Sequence, residues 1–168
     1  MRTTLPEAAH SVSPLGLRRL FHVGAWCFIT VGATHLVLTA VDALGAPDPA
    51  TQRALGAMRG VPTTLPGIRS DMAQLYYGFS TAMALLGIGF GLLNLVVLRQ
   101  APDILVRGTT LLWMDAAVSA LLLAVAALAF PAPPILATAA ALAAYGWALA
   151  ITRRGRARLS ALREGRST

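Results

Sequence analysis

Four apolar runs dominate the chain, at about residues 20–41, 75–98, 108–130 and 134–151, with Arg, Asp, Pro and Gly concentrated between them. A helix rises ~1.5 Å per residue, and about 20 apolar residues cross the hydrocarbon layer. Each run therefore predicts a transmembrane helix. The fourth is short, and crosses if it stands upright or borrows residues from the tail. The short links after the second and third runs predict one membrane domain over residues 1–168, with no internal repeat. The expected fold class is all-α, a transmembrane four-helix bundle.

Signals at the ends of the runs refine these limits. Ser13 before Pro14 reads as an N-cap and first-turn pair, which moves the start of the first helix back to Pro14. Gly45 and Pro47 end it. In the long first loop, Asp48-Pro49 reads as a cap followed by a short helix to Arg59, stopped by Gly60. Asp71 and Gln74 have capping-box spacing ahead of the second span. Pro131, Pro133 and Pro134 force a tight turn between the third and fourth. The first run is ~22 residues and holds His35, whereas the apolar region of a cleaved leader has about 7 to 15. It reads as a span.

Composition supports the same class. Only 12% of residues are charged and 56% are hydrophobic, against about 25% charged in an ordinary soluble domain. The 14 basic residues are all arginine and outnumber 7 acids, for a net charge of +7. They lie outside the apolar runs, which makes them a topology signal attracted to anionic headgroups, with no nucleic-acid partner implied. Eleven fall in the N-terminal tail, the second loop and the C-terminal tail; Arg53, Arg59 and Arg69 remain in the first loop. The positive-inside rule then predicts both termini in the cytoplasm and the first loop outside. In a bacterium this is the plasma membrane.

Polar groups at membrane depth are costly and call for a reason. Two titratable residues lie deep, His35 and Asp115, at different levels. Asp115 shares its depth with Tyr145 on the antiparallel fourth span, so the two are expected to form a structural polar pair holding those helices together. His35, Thr39 and Asp42 share one helical face and form a polar stripe climbing to the outer surface. On the second span, Tyr76, Ser80, Met83, Gly87, Gly91 and Asn94 follow at three- and four-residue steps. The stripe and the tyrosines Tyr76 and Tyr77 are expected to meet in an outward-facing notch, with Arg59 and Arg69 at its mouth. Arginine there favours an anionic or phosphate-bearing ligand.

Other chemistry is not supported. His22 and His35 lie on one helix ~20 Å apart and His10 is in the tail, so no pair can clamp a haem. No His/Cys/Asp cluster has zinc spacing, the lone Cys27 lacks a dithiol partner, and there is no phosphate loop or nucleophile elbow. No metal and no cofactor is expected.

Gly32-Ala33-Thr34-His35, Met58-Arg59-Gly60, and Arg69-Ser70 followed by Tyr76-Tyr77-Gly78-Phe79 resemble a family of small uncharacterised bacterial four-helix membrane proteins. That family is similar to the wider DoxX-like and EXPERA-like bundles. The resemblance covers roughly residues 20 to 100. It implies a compact four-helix bundle with the Gly-x-x-His helix beside the Tyr-Gly-Phe helix, and it carries no established activity. The acidic constellation of an EXPERA-like sterol isomerase is not in the chain. Three functions are consistent with these residues. The favoured one is a binding or accessory protein whose notch holds a lipid headgroup or small amphiphile, or docks a membrane complex. The alternatives are a membrane enzyme acting on a lipid or isoprenoid with His35 as acid/base, and a small transporter using Asp115, which would require a homo-oligomer.

Overall fold

The structure is a computed structural model that describes residues 14–45, 47–65, 68–101 and 109–165. Among these are five helices and one hairpin: α1 Pro14–Leu44, α2 Pro49–Arg59, β1 Pro62–Leu65, β2 Ile68–Asp71, α3 Met72–Gln100, α4 Thr110–Ala129 and α5 Ala132–Glu164. Four of the helices, α1, α3, α4 and α5, are long and apolar enough to cross a membrane.

Helix ends follow local chemistry. Proline opens α1 and α2, where its missing N–H and fixed φ cost nothing; the proposed Ser13 cap and the tail residue His10 lie outside the described residues. At the other end of α1, the Gly45 amide donates to the Val41 carbonyl at 2.8 Å. Asp48 caps α2: one carboxylate oxygen accepts from the Ala50 and Thr51 amides at 2.8 and 3.2 Å, the other from the Thr51 hydroxyl at 2.6 Å. The Thr51 hydroxyl, and then the two amides, hold this carboxyl below the usual carboxylate range. The Gly60 amide closes α2 on the Gly56 and Ala57 carbonyls. At the start of α3 the Gln74 amide donates to Asp71 at 2.8 Å. Pro133 and Pro134 fall in the first turn of α5.

Two helices differ in extent from their apolar runs. The fourth helix does not stop at Ile151 but runs to Glu164. Hydropathy ends there, but the Arg-, Ala- and Leu-rich tail keeps strong helix formers. The third begins at Thr110; Gly108 is outside the described residues. The all-α expectation also missed the hairpin. Its strands pair antiparallel from Pro62–Asp71 to Leu65–Ile68. The Thr63 hydroxyl donates to the Ser70 carbonyl at 3.0 Å, and the Met72 amide to Val61 at 3.2 Å.

The chain divides into two compact units, residues 25–94 and residues 1–24 with 95–168, and the division runs through α1 and α3. In the first unit α1 and α3 run antiparallel, and small residues let their backbones approach closely. A Cβ built on Gly32 would lie 2.7 Å from the Ala84 carbonyl oxygen, and one on Gly91 would lie 2.6 Å from that of Ala25. Phe28 and Phe90 meet edge to face at 4.8 Å between centroids.

In the other unit α4 packs against α5 across the turn at Phe130 and Pro131. Leu112, Asp115, Ala116, Ser119 and Ala126 are buried on α4, and Ala141, Ala144, Tyr145, Ala148 and Leu149 on α5. The first part of α1 joins them: Phe21, fully buried, meets the Tyr145 ring edge to face at 5.4 Å. Outward-facing positions on the spans remain apolar and open, with Leu86, Leu121 and Leu128 exposed by 68%, 70% and 90%. In water such surfaces would associate; in hydrocarbon they are solvated.

Candidate functional site

The packing faces of α1 and α3 determine where the polar residues go. On α3 one line of buried and half-buried positions runs Ala73, Tyr77, Ser80, Ala84, Gly87, Gly91, Asn94 and Leu98 in alternating four- and three-residue steps, flanked by half-buried Thr81, Ile88 and Phe90. This is a 3.5-residue period, which keeps one seam toward a neighbouring helix. Tyr76 and Met83, expected on that seam, are instead 46% and 54% exposed. Ser80, Gly87, Gly91 and Asn94 lie on the seam as expected, while Tyr77 and Ala84 take the places expected for Tyr76 and Met83.

On α1 the seam reads Ala25, Phe28, Gly32, His35, Thr39. The polar stripe thus continues, toward the first loop, the face that packs on α3. His35 and Thr39 are half-buried, while their neighbours Val37 and Leu38 are 61% and 57% exposed. Asp42, at the end of the stripe, is exposed.

Two contacts bracket the stripe. At its deep end Gly32 lies against Ala84 and Ile88. At its other end, next to the first loop, the Tyr77 hydroxyl donates to the Asp42 carbonyl at 3.5 Å. In an antiparallel pair with these end points, His35 falls at the level of Thr81 to Met83 and Thr39 at that of Phe79 to Ser80. Tyr77 lies about 10 Å from His35 along the helix axis, toward the first loop. The Tyr76 ring packs edge to face on Tyr77 with centroids 5.3 Å apart. Ser80 therefore shares the level of Thr39, and the tyrosines share that of Asp42. Sequence reasoning placed both tyrosines together and did not separate these levels.

Arg59 ends α2 and Arg69 stands on β2 opposite Thr64. Both are exposed and, among the described residues, neither forms an ion pair. The Ser70 hydroxyl donates to the Gln74 side chain at 3.0 Å, tying the hairpin to the first turn of α3.

In the other unit Asp115 and Tyr145 are both buried, with 1% and 0% of their surfaces exposed. They are equidistant along the chain from Phe130 and so share a level on the two packed helices. The Ser119 hydroxyl donates to the Asp115 carbonyl at 2.7 Å, within α4. The Tyr145 ring occupies the space above Gly24, where a Cβ would lie 2.4 Å from its Cζ. His22 donates through Nδ1 to the Arg18 carbonyl at 2.9 Å. No group of three or more His, Cys, Asp or Glu side chains stands together among the described residues.

Sequence reasoning missed one further arrangement, the Arg153 guanidinium over the Trp113 ring at 4.7 Å. The signal available was the first Arg after an apolar run opposite a Trp at the start of its neighbour.

These features define a helical protein with four candidate membrane spans, the architecture of a multi-pass membrane protein. Compared with known proteins, the chain matches no family model, no curated protein and no solved structure.

Proposed function

We propose that this chain is a small membrane binding or accessory protein whose outward polar stripe holds the headgroup of an anionic lipid or small amphiphile, or docks a membrane complex. The observation that carries this reading is the half-burial of His35 and Thr39 on the α1 face that packs on α3, beneath the contact between Tyr77 and Asp42. His35 and Thr39 there lie on the face that packs on α3, while Val37 and Leu38 make the other side of α1 exposed and apolar at this level. Arg59 and Arg69, exposed in the same unit, supply the cations that favour a phosphate-bearing ligand.

The arginine distribution supports a plasma membrane orientation with both ends in the cytoplasm and residues 48–71 outside. The motifs around His35 and Tyr77 support kinship with DoxX-like and EXPERA-like bundles of bacterial inner membranes. The test is mass spectrometry of lipid carried through purification in mild detergent. His35→Ala and Arg69→Ala are each expected to lower ligand retention severalfold, while Val37→Ala leaves it unchanged. Equal retention in all four proteins would leave the stripe a packing role alone.

A further inference from the structure

We propose that a second copy of this chain packs in parallel against the exposed face of α1, with Thr30 and Thr34 paired across the axis between the two copies. This face lies opposite the polar stripe, so the pairing stands independently of any ligand there.

Helix α1 carries two seams. The one on α3 runs Ala25, Phe28, Gly32, His35 and Thr39; the other runs Cys27, Thr30, Thr34, Val37, Val41 and Leu44, again in three- and four-residue steps. With about 3.6 residues per turn, the two lie on opposite sides of the helix. Apart from half-buried Cys27, every position of the second seam is exposed. It extends about 25 Å along the axis, most of a hydrocarbon layer of about 30 Å. A 3.5-residue period sustained over that length keeps one line of side chains toward a single neighbouring helix, the geometry of left-handed pairs.

The side chains on this seam suit a helix better than lipid. In hydrocarbon, helices associate through close packing and interhelical hydrogen bonds, because lipid tails solvate apolar side chains equally well. Val37, Val41 and the two threonines are β-branched and stiff at χ1, so packing costs them little rotamer freedom. Outward positions on α3 and α4 carry leucine instead, at Leu86, Leu121 and Leu128. Thr30 stands at the middle of the candidate span Leu15–Leu44. At that depth neither water nor a lipid tail can bond its hydroxyl. The hydroxyls of Ser119, Thr138 and Thr152 return to carbonyls one turn earlier on their own helices. Those of Thr30 and Thr34 form no hydrogen bond among the described residues.

Symmetry supplies the occupant. Copies of one chain insert with the same topology, so their α1 helices are parallel and the twofold axis stands along the membrane normal. Each residue then faces its own counterpart at its own depth. A hydroxyl is both donor and acceptor, so threonine pairs with threonine and needs no second kind of group. Thr30 and Thr34, one turn apart, pair at two levels.

Cross-linking of the full chain in phosphatidylcholine vesicles, at high lipid-to-protein ratio, tests this. A disulfide needs Cα atoms within about 7 Å, so oxidation by iodine bridges cysteines that face each other. The native Cys27 is expected to give a covalent dimer. On a Cys27→Ser background, Thr34→Cys, Val37→Cys and Val41→Cys should cross-link severalfold more than Leu38→Cys and Ala40→Cys, which are exposed on the flanks of the seam. Energy transfer between copies labelled at the C-terminus reads the equilibrium without a covalent bond. Thr30→Val and Thr34→Val keep the β-branch and remove the hydroxyl, and each should raise the dimer dissociation constant about threefold, the worth of one interhelical hydrogen bond. Absence of cross-linking at every seam position would leave the face to lipid or to a different protein and overturn the proposal. So would equal cross-linking on and off the seam, which is the pattern of random collision, and so would unchanged dimerisation in both valine variants.

Discussion

The glycines where α1 meets α3 yield a graded prediction, because the same change, Gly→Ala, meets very different surroundings. At Gly91 the added methyl would lie 2.6 Å from the Ala25 carbonyl oxygen and 2.6 Å from Ile29 Cγ1; at Gly32 it would lie 2.7 Å from the Ala84 carbonyl and 2.9 Å from the Ile88 amide nitrogen. Backbone atoms cannot rotate away, so the helices must separate. At Gly87 the nearest atoms are 3.7 Å away, an ordinary contact, and at Gly89 there is nothing within 4 Å. Alanine gains up to about 1 kcal/mol over glycine in a helix interior, while overpacking costs about 1–3 kcal/mol. Gly89→Ala and Gly87→Ala should then be neutral or stabilising. Gly32→Ala and Gly91→Ala should destabilise by about 1–2 kcal/mol, the difference of those two effects. For a chain of this size that corresponds to about 2–8 °C in the apparent melting temperature. Thermal unfolding of the four variants in one mild detergent checks the order. If Gly91→Ala melts with Gly89→Ala, the close approach of α1 and α3 is wrong.

Other outcomes are equally specific. Gly24→Ala should destabilise through the Tyr145 ring, and Tyr145→Leu should partly rescue it, whereas Tyr145→Phe, which keeps the clashing ring carbons, should not. Asp115→Asn preserves size and hydrogen bonding and should be tolerated, while Asp115→Leu should lower the melting temperature by the worth of an interhelical bond, about 0.6–2 kcal/mol; equal damage by both would exclude that role. The Asp48 carboxyl is held below its ordinary range, so its cap is fully effective above the unfolded value and is lost only as pH falls through the lower folded value. Hydrogen exchange at Ala50 and Thr51 should therefore stay slow from neutral pH down through the ordinary carboxylate range, and Asp48→Ala should abolish that protection at every pH. Reporter fusions after Pro47 and after Thr168 should report outside and inside respectively.

The chemistry of single residues was readable wherever it acts over three or four positions. Asp48 ahead of Pro49, Asp71 ahead of Gln74, and glycine after the last apolar turn each specify a helix end by a hydrogen bond that the local sequence contains. The apolar runs likewise announced four helices long and apolar enough to cross a membrane, because that property demands length and composition alone. What escaped were features set by contacts. In a span that is apolar all round, hydropathy does not mark the packing face. The seam on α3 was visible mainly as small residues in three- and four-residue steps, which identified Ser80, Gly87, Gly91 and Asn94 but put Tyr76 and Met83 where Tyr77 and Ala84 lie. The hairpin was too short for an alternating pattern, although Pro66-Gly67 between Thr63-Thr64-Leu65 and Ile68 is a turn dipeptide flanked by β-branched residues. The end of α5 at Glu164 was not marked by the end of the fourth apolar run, because a loss of hydropathy does not end a helix whose residues remain good helix formers.

Labelling of single cysteines by a membrane-impermeant maleimide, in intact cells and on a Cys27→Ser background, tests the outward polar stripe most directly. Thr39 and Leu38 differ in depth by about 1.5 Å, yet Thr39 lies on the stripe and Leu38 on the 57% exposed apolar side. Thr39→Cys is predicted to label from outside the cell, and Leu38→Cys to stay unlabelled in lipid. A labelled Leu38→Cys beside an unlabelled Thr39→Cys, or no labelling at either, would contradict an outward-facing site on this face of α1.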